Sequence, residues 1–278
     1  MDHRSPLFTV FIHAAALLVA LAVLAPLAWL FVMSVSSNAD LSAKPLHWWP
    51  ETFDLSRYRQ LLSVETGAAF LAALRNSIVV AGMATLAALS VGVPAGWIAS
   101  RKPQLGWTLG AVIATYMLPP VALSVPLYMI LARFGLLNNV FGLALVYLSI
   151  LAPFVTWLLK AGFDPIPRDL ESAAAIDGAR LDQLLRIVIM PLALPVVATA
   201  LIFAFLLAWD EFFYALLFTS NQDAKTLSVA IADLAGGRVS DYGLIAAAGV
   251  IAALPPVAVG LLMQRALISG LTNGGVKG

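Results

Sequence analysis

A densely charged segment, residues 160–190 (the polar loop), stands between two apolar segments that are each long enough to cross a membrane. Its centre reads Glu171-Ser-Ala-Ala-Ala-Ile-Asp-Gly-Ala179. The small side chains from Ser172 to Ala175 would let another backbone or a narrow cleft approach closely. Glycine accepts the left-handed conformation that ends many helices, so Gly178 is a natural helix stop. The pattern predicts two helices joined by a turn, acting either as a connector on the membrane surface or as a docking element.

Signals at the helix ends support this interpretation of the polar loop. Pro165 and Pro167 precede the first predicted helix, where a missing N–H costs little. Asp169 and Glu171 lie near its start, where the helix dipole favours negative charge. The second predicted helix has one apolar face at the spacing i, i+3, i+4 and i+7, formed by Leu181, Leu184, Leu185 and Val188. We expect Pro191 to begin the next apolar span.

The composition indicates a membrane protein. The 278 residues are 61% hydrophobic and only 11% charged, whereas soluble domains carry about 25% charged residues. The chain has no cysteine, which excludes disulfides and thiol chemistry, and its three histidines show no metal-ligand spacing. We therefore expect no metal site. The net charge of +1 gives no reason to expect nucleic acid as a partner.

Six apolar segments have the length of transmembrane helices, which need roughly 20 residues each. They predict an all-α, polytopic membrane protein with one transmembrane domain over residues 1–278. An outer loop at 36–71 and a C-terminal tail at 264–278 complete the layout. The predicted spans are 7–35, 72–100, 107–131, 140–159, 191–217 and 242–263.

Two patterns within the spans bear on helix shape. The spacings Gly92-x-x-x-Gly96 and Gly106-x-x-x-Gly110 fit close packing of helices in membranes. Pro119-Pro120 and Pro126 fall inside the third span, where proline removes a hydrogen bond and kinks a helix.

Positive charge predicts the orientation of the chain. Six spans place both termini on one side, and Lys and Arg favour the cytoplasm. With cytoplasmic termini, the inner segments carry nine of these residues and the outer segments seven. The short loops give the clearer contrast: Arg101-Lys102 and four further basic residues of the polar loop lie inside, against Arg133 outside. We expect cytoplasmic termini and a cytoplasmic polar loop.

The centre of the polar loop resembles the EAA loop of ABC-importer permease subunits. The shared pattern is Ala173-Ala174, two variable residues and Asp177-Gly-Ala179, with Ile189-Met-Pro191 further on. The six-span layout, the run Trp209-Asp-Glu-Phe212 and the Gly-rich C-terminus are similar to the maltose-type permease subunits of carbohydrate importers. The resemblance covers nearly the whole chain.

This resemblance implies a type I ABC importer fold in which the polar loop is a cytoplasmic helix-turn-helix that couples to an ATPase. The residues it implies for ATPase coupling are Glu171, Ser172, Ala173, Ala174, Asp177, Gly178, Ala179 and Pro191. It also implies that the C-terminal tail contacts the ATPase near its dimer interface, whereas a frayed end is the alternative. The tail residues concerned are Gly270, Leu271, Thr272, Gly274, Gly275 and Lys277.

The implied activity is ATP-driven import of a sugar or sugar-like substrate, such as an oligosaccharide, a polyol or a glycerol phosphate. The implied partners are a second permease subunit in a heterodimer, an ATPase dimer, an extracytoplasmic substrate-binding protein and membrane lipid. The implied location is the bacterial cytoplasmic (inner) membrane. The chain itself would bind no cofactor, because ATP and Mg would lie on the partner ATPase.

The lysines agree with an external motor. A nucleotide-binding P-loop needs Gly-Lys followed by Ser or Thr, and none of the five lysines in this chain follows a glycine. We therefore expect that the chain is not an enzyme and does not hydrolyse ATP.

One position departs from the family pattern. The glutamate of the EAA pattern usually stands directly before the paired alanines, where this chain has Ser172, and Glu171 lies one residue earlier. One residue is about 100° of rotation along a helix. A carboxylate contact to the ATPase would therefore come from another direction, or a hydroxyl bond would replace it.

Asp210 and Glu211 lie in the fifth span, where ionisable groups are costly and usually face protein or water. Three roles remain open for them: lining or gating the sugar path, meeting a partner at the outer surface, or pairing within the structure. Asn76, at the outer mouth of the second span, is a further candidate for the path or gate.

Two other functions are alternatives to the importer. An ion-coupled secondary transporter would need an intramembrane carboxylate relay and inverted repeats; Asp210-Glu211 is the one candidate pair, and no repeat is evident. A membrane enzyme would need a nucleophile with its base or a metal motif, and neither pattern is present.

Overall fold

The computed structural model describes residues 6–45, 47–236 and 241–275, and all regular secondary structure in these ranges is helical. A 3-10 turn at Pro103–Leu105 and a π-helical turn at Leu184–Ile189 interrupt the α-helices. The α-helices are α1 (Pro6–Val35), α2 (Asn38–Ser42), α3 (Ser56–Leu62), α4 (Ala68–Arg101), α5 (Gly106–Tyr116), α6 (Pro120–Arg133), α7 (Val140–Phe163), α8 (Asp169–Ile176), α9 (Leu181–Gln183), α10 (Met190–Trp209), α11 (Phe213–Phe218), α12 (Leu227–Ala235) and α13 (Tyr242–Gly275).

The predicted all-α membrane fold is confirmed. Among the described residues, five helices are long and apolar enough to cross a membrane, and a bent pair makes a sixth if it counts as one span. These five are Phe8–Val35, Ala68–Arg101, Val140–Phe163, Leu181–Trp209 and Tyr242–Met263.

The third predicted span is not one straight helix. It consists of α5 and α6, which meet at an angle of 93°. The break falls at residues 117–119, directly before Pro120. A proline disfavours helical geometry in the residue before it and cannot donate a backbone hydrogen bond. Pro120 instead occupies the first turn of α6, where the missing N–H costs little.

The fifth predicted span begins earlier than expected. Helical structure is continuous from Leu181 to Trp209, so Pro191 lies inside a helix rather than at its start. The π-helical turn ends two residues before this proline, and both prolines and π turns are identifiable causes of helix irregularity. The same span ends sooner than expected, because residues 210–212 are not helical and α11 follows them.

The chain divides into two compact units. The first comprises Met1–Leu71 and Ile231–Leu254, and the second Ala72–Ala230 and Pro255–Gly278. The boundaries fall inside α4, α12 and α13, so one domain over residues 1–278 remains a prediction.

A buried arginine organises the first unit. Arg57 on α3 is only 4% exposed, and its Nε lies 3.2 Å from a carboxylate oxygen of Asp241. Its two terminal nitrogens donate to the carbonyl of Ser36 and to Oδ1 of Asn38. A Cβ at Gly243 would overlap the guanidinium, so a glycine is required there. Each of the three guanidinium nitrogens therefore has a partner, as a buried arginine requires.

A second polar cluster in the first unit surrounds the buried carboxylate of Asp40. One oxygen accepts from the backbone N–H and hydroxyl of Ser37 at the start of α2, and the other lies 3.0 Å from His47 Nδ1. Glu51 brings a further oxygen within 3.9 Å of the same nitrogen. One nitrogen and two oxygens thus lie within 4.8 Å of one another. Since protein donors already bond the buried carboxylate, the cluster needs no ion to explain it, and the absence of a metal site remains a prediction.

Close helix packing dominates the second unit. A Cβ on Gly92 would lie 2.6 Å from the side chain of Val155, and one on Gly96 would lie 3.0 Å from Leu159 Cβ and from a backbone nitrogen of α7. A Cβ on Gly162 would come within 2.4 Å of the Val196 side chain on α10. The predicted close packing at Gly92 and Gly96 is confirmed. At the other glycine pair, Gly106 and Gly110, no heavy atom lies within 4 Å of the Cβ position among the described residues.

Asp40→Asn should lower the pKa of His47. Its hydrogen bond with Asp40 raises the pKa of His47 above 6.5, and the same bond lowers the pKa of Asp40 below 3.8. A raised histidine pKa stabilises the fold below its unfolded value of about 6.5, and this contribution is lost as the pH rises through the folded value. The aspartate contributes above about 3.9, and loses its effect as the pH falls through its lowered pKa.

The pair therefore stabilises the fold most between about pH 4 and pH 6.5. The measurement is an NMR titration of His47, with thermal unfolding followed across that range. Glu51→Gln is the control and should move the pKa less, because Glu51 is exposed and more distant. An unchanged His47 pKa in Asp40→Asn would contradict the assignment.

Gly96→Ala should destabilise the chain more than Gly110→Ala. The new methyl group at Gly96 would press on the α7 backbone, and overpacking costs typically 1–3 kcal/mol. At Gly110 the methyl group meets no atom within 4 Å, and alanine favours a helix by roughly 0.5–1 kcal/mol over glycine. Thermal unfolding in detergent compares the two variants, and equal midpoints would refute the close approach of α4 and α7.

Candidate functional site

The first helix of the polar loop, α8, ends in a Schellman motif formed by the predicted turn. Gly178 has a φ of +78°, in the left-handed region that favours glycine. Its N–H donates to the carbonyl of Ala175, and the N–H of Ala179 donates to the carbonyl of Ala174. These two bonds satisfy carbonyls that a helix end otherwise leaves free. The predicted role of Gly178 as a helix stop is confirmed.

Little of α8 is packed against the protein. None of its eight residues is buried, and Ile176 at its end is 87% exposed. Ser172, Ala173 and Ala175 are also exposed. Isolated helices this short are marginal in water, so packing or polar ties must hold them. An exposed isoleucine beside small side chains therefore forms a surface that another protein could cover.

Arg101, the last residue of α4, makes the main polar contacts with the loop. Its Nε donates to Oε1 of Glu171 at 2.5 Å. Its terminal nitrogens donate to the carbonyls of Phe163 and Ile166, each at 3.1 Å. Only 10% of the arginine side chain is exposed. One guanidinium thus joins α8, the end of α7 and the turn between them.

Two weaker bonds reinforce these contacts. Trp97, one turn earlier on α4, directs its indole N–H at the same oxygen of Glu171 at 3.4 Å. In the opposite direction, Arg168 donates from the loop to the carbonyl of Ser100 at 3.4 Å. That carbonyl lies in the last turn of α4, where helix carbonyls lack intrahelical partners. The loop and the helix end therefore satisfy each other's polar groups.

The shifted glutamate points into the chain. Only 19% of the Glu171 side chain is exposed, and its ion pair with Arg101 occupies the inward side of α8. Ser172 is exposed, and its hydroxyl donates to the carbonyl of Arg168 within the same turn. The Glu171 carboxylate is thus bonded to Arg101 of α4, and its part in ATPase coupling remains a prediction. The exposed part of the motif consists of serine, alanines, Ile176 and the glycine turn.

The second helix of the loop continues into the membrane span. Arg180 occupies the N-cap position of this helix, and its backbone N–H donates to Oε1 of Gln183 at 2.8 Å. The π-helical turn follows and packs against α8. The expectation of a separate amphipathic helix is corrected, because α9, the π-helical turn and α10 form one continuous helix. Pro191 lies in this helix, one residue past the start of α10.

Asn76 faces protein rather than an open path. The side chain is 1% exposed, and its amide nitrogen donates to the carbonyls of Gln222 and Lys225. The neighbouring Ser77 hydroxyl accepts from the N–H of Leu227 at 2.8 Å, at the start of α12. Both residues of α4 thus hold residues 222–227. The Asn76 amide is bonded to these two carbonyls, and its role in a path or gate remains a prediction.

Glu211 caps a short helix. Its two carboxylate oxygens accept from the backbone N–H groups of Tyr214 and Ala215, at 2.8 and 3.1 Å, at the start of α11. Its own carbonyl accepts from the hydroxyls of Tyr147 and Ser228. This geometry favours the structural role among the three that the sequence left open. Asp210, in contrast, is exposed at the end of α10.

An aromatic, apolar cavity lies between α5 and α7. It is lined by Ile113, Tyr116, Pro153, Phe154 and Trp157. Tyr116 and Phe154 have ring centroids 6.5 Å apart, and Phe203 of α10 lies 6.2 Å from Phe154. The lining is almost entirely apolar, so it offers few hydrogen bonds to a sugar.

The structure describes only the backbone of the predicted tail residues, and only as far as Gly275. Residues 270–275 belong to α13, so their backbone is helical. Their side chains and Lys277 lie outside the described part of the chain, and the predicted contact of the tail remains a prediction.

Sequence reasoning missed Arg101, Trp97 and Arg168 as parts of the site. Arg101 had been used only to predict orientation. A signal was present: the face of α4 that carries Gly92 and Gly96 continues, one turn further, to Ser100. A helix face that packs closely enough to require glycine brings its last turn beside the neighbouring chain.

Comparison with known proteins places the chain among membrane transport components. A family model described as "Binding-protein-dependent transport system inner membrane component" matches residues 88–273. The sulfoquinovosyl glycerol transport system permease protein SmoH of Agrobacterium fabrum is 38% identical, over 91% of this chain and 88% of its own. The trehalose/maltose transport system permease protein MalG of Thermococcus litoralis is 34% identical, over 95% of both chains. The trehalose transport system permease protein SugB of Mycobacterium tuberculosis is 35% identical, over 92% of this chain and 93% of its own.

Solved structures show the same fold. A chain of a bacterial ABC transporter involved in the import of the acidic polysaccharide alginate matches with a TM-score of 0.76 and 24% identity, over 95% of this chain and 99% of the other. A chain of the alginate transporter in complex with an alginate pentasaccharide-bound periplasmic protein matches with a TM-score of 0.63 and 16% identity, over 92% and 93%.

Gly178→Val should loosen the polar loop, whereas Gly178→Asn should be tolerated. A Cβ at this position meets no atom within 4 Å, so the effect isolates the backbone conformation. The left-handed conformation costs an L-residue about 1–2 kcal/mol, and asparagine is among the residues that adopt it. A cost of this size changes an opening equilibrium by a factor of about 5–30.

Limited trypsin digestion after Arg180 measures this opening. We expect faster cleavage in Gly178→Val, with wild type and Gly178→Asn close to each other. Equal rates in all three proteins would show that the left-handed turn does not hold the loop.

Proposed function

Because the chain belongs to the family of binding-protein-dependent transport-system inner-membrane components, we propose that it pairs with a second permease subunit in an ATP-driven importer. The two subunits form the translocation path for a sugar or sugar-like substrate. The chain is a multi-pass permease of the bacterial cytoplasmic (inner) membrane, with both termini and the polar loop in the cytoplasm. The short-loop excess of Lys and Arg supports this orientation.

The observation that carries the coupling proposal is the exposed surface of α8. Its Ile176 is 87% exposed, while Arg101 fixes the opposite side of the helix to the chain. A surface that is apolar outside and anchored inside suits a partner that must move it. The partner is an ATPase dimer with a cleft that receives α8, and the exposed small side chains let the cleft approach the helix backbone.

The energy comes from this partner. None of the five lysines follows a glycine, so the chain has no P-loop for ATP. ATP and Mg are bound by the ATPase subunits, and this chain binds no cofactor. Closure of the ATPase dimer moves the polar loop, and the permease pair changes from inward-open to outward-open.

The substrate is delivered by an extracytoplasmic binding protein. The family description names binding-protein-dependent transport, and one structural neighbour was solved with a sugar-bound periplasmic protein. The relatives' names point to trehalose, maltose and sulfoquinovosyl glycerol. Small oligosaccharides and glycosylated glycerol are therefore the first substrates to test, followed by polyols and glycerol phosphates.

The alternative, an ion-coupled secondary transporter, gains no support from the carboxylates of the fifth span. Glu211 caps α11 with both oxygens, and Asp210 beside it is exposed. A proton relay would need groups that exchange partners across the membrane, and neither the cap nor the family membership suggests one.

Reconstitution in liposomes with the partner permease, the ATPase and the binding protein should give ATP-dependent sugar uptake. Omission of the ATPase or of ATP should abolish uptake. Sugar uptake by the two permeases alone, driven by an imposed proton or sodium gradient, would overturn the importer proposal.

Ile176→Asp tests the docking surface in the same complex. Burying an isoleucine side chain contributes about 1.5–3 kcal/mol, and 1.4 kcal/mol is a tenfold change in affinity. We therefore expect the ATPase to bind the variant permease at least about tenfold more weakly. Ile176→Leu keeps an apolar side chain and is the matched control. Normal ATPase binding and uptake by Ile176→Asp would exclude this surface as the docking site.

A further inference from the structure

We infer that Arg101 is a positioning residue that links the polar loop to α4, so that a load on α8 reaches α4 as well as α7 and α10. This inference rests on the proposed function, in which an ATPase moves the loop. It assigns the inward-facing Glu171 to the same link.

The chain connectivity explains why such a link is needed. The polar loop is joined covalently to α7 at one end and to α10 at the other. α4 lies beside α7 at Gly92 and Gly96, yet residues 102–159 separate its end from the loop in sequence. Movement of the loop can therefore reach the end of α4 only through non-covalent contacts between the two, such as the hydrogen bonds of Arg101.

The donors of Arg101 are all directed at the loop or its own helix end. Nε binds Glu171, one terminal nitrogen binds the Phe163 carbonyl and Ser100 Oγ, and the other binds the Ile166 carbonyl. The planar guanidinium holds these partners in fixed directions. A lysine offers one compact charge on a flexible stem and cannot reproduce the fork.

The acceptors of Arg101 belong to three consecutive parts of the chain: the end of α7, the turn after it and α8. The Phe163 carbonyl belongs to the last turn of α7, and the Ile166 carbonyl to the turn before α8. Glu171 belongs to α8, which has no buried residue to fix its rotation about its own axis. The ion pair therefore joins the inward side of α8 to α4, while Ile176 and the small side chains remain exposed.

A different role for Glu171 makes distinct predictions. If Glu171 met the ATPase directly, its loss would weaken ATPase binding, and the defect would not equal that caused by the loss of Arg101. If the two residues form one positioning link, each single loss gives the same defect and the double loss adds little. The link also predicts the defect in coupling rather than in assembly, because the exposed face of α8 keeps its residues.

The first measurement is sugar taken up per ATP hydrolysed by the reconstituted complex. Arg101→Ala and Glu171→Ala should each lower this ratio by about tenfold, because removal of one residue leaves the mostly buried charge of the other without its partner. The double variant should stay within about twofold of either single variant. Arg101→Lys, which keeps the charge but not the planar fork, should give an intermediate ratio. Lys102→Ala removes an exposed neighbouring charge and should match wild type.

The second measurement needs no transport. The chain has no cysteine, so spin labels can be attached at Gln104→Cys and Asp169→Cys alone, two exposed positions on either side of the link. In the assembled complex, we expect a narrow distance distribution between the labels. Arg101→Ala and Glu171→Ala should broaden it, and Lys102→Ala should not.

The outcomes separate the two proposals. Wild type that takes up no sugar with ATP overturns the proposed function, while the label distances still test the link. Wild-type uptake with an unchanged ratio in Arg101→Ala overturns the link. So does a defect confined to Glu171→Ala with an unchanged distance distribution, which would assign Glu171 to the ATPase interface. Equal, non-additive defects with broadened distances support the link.

Discussion

The close approach of α4 and α7 is the contact on which the site depends. Gly92 and Gly96 leave no room for a side chain between the two helices. This packing carries the last turn of α4 to the point where α7 ends and the polar loop begins. At that point helix carbonyls lack intrahelical partners, and an arginine at the tip of α4 supplies the missing donors. Larger side chains at these positions would press the two helices apart, and this would move Arg101 away from both carbonyls.

The polar loop shows how a surface element can be ordered without a hydrophobic core. Apolar burial, the usual source of stability, contributes little to α8 because none of its residues is buried. Its position instead rests on hydrogen bonds at both ends, one set from Arg101 and one from the turn at Gly178. Directional bonds define an orientation, which non-directional apolar burial does less well. The arrangement leaves the outer face free for a partner.

Local chemistry was predictable from the sequence, and long-range contacts were not. The helix stop at Gly178, the six apolar segments and the close packing at Gly92 and Gly96 each follow from a short stretch of residues. A kink at Pro119-Pro120 was expected, but its angle of 93° and the continuous helix through Pro191 were not, because a proline can end, bend or merely loosen a helix according to its neighbours. The partner of Glu171 was missed because Arg101 is seventy residues away, and composition cannot pair them.

The unbroken helix from Leu181 to Trp209 gives the chain a lever. Its 29 residues correspond to a rod about 43 Å long at 1.5 Å per residue. A tilt of roughly 10° about one end of a rod that long displaces the other end by about 7 Å, more than the width of a monosaccharide ring. Motion at the loop would need no large local rearrangement to be felt at the far end. The π-helical turn at Leu184–Ile189 interrupts the regular hydrogen bonding of this rod. Its stiffness would set how much of a tilt at the loop reaches the far end.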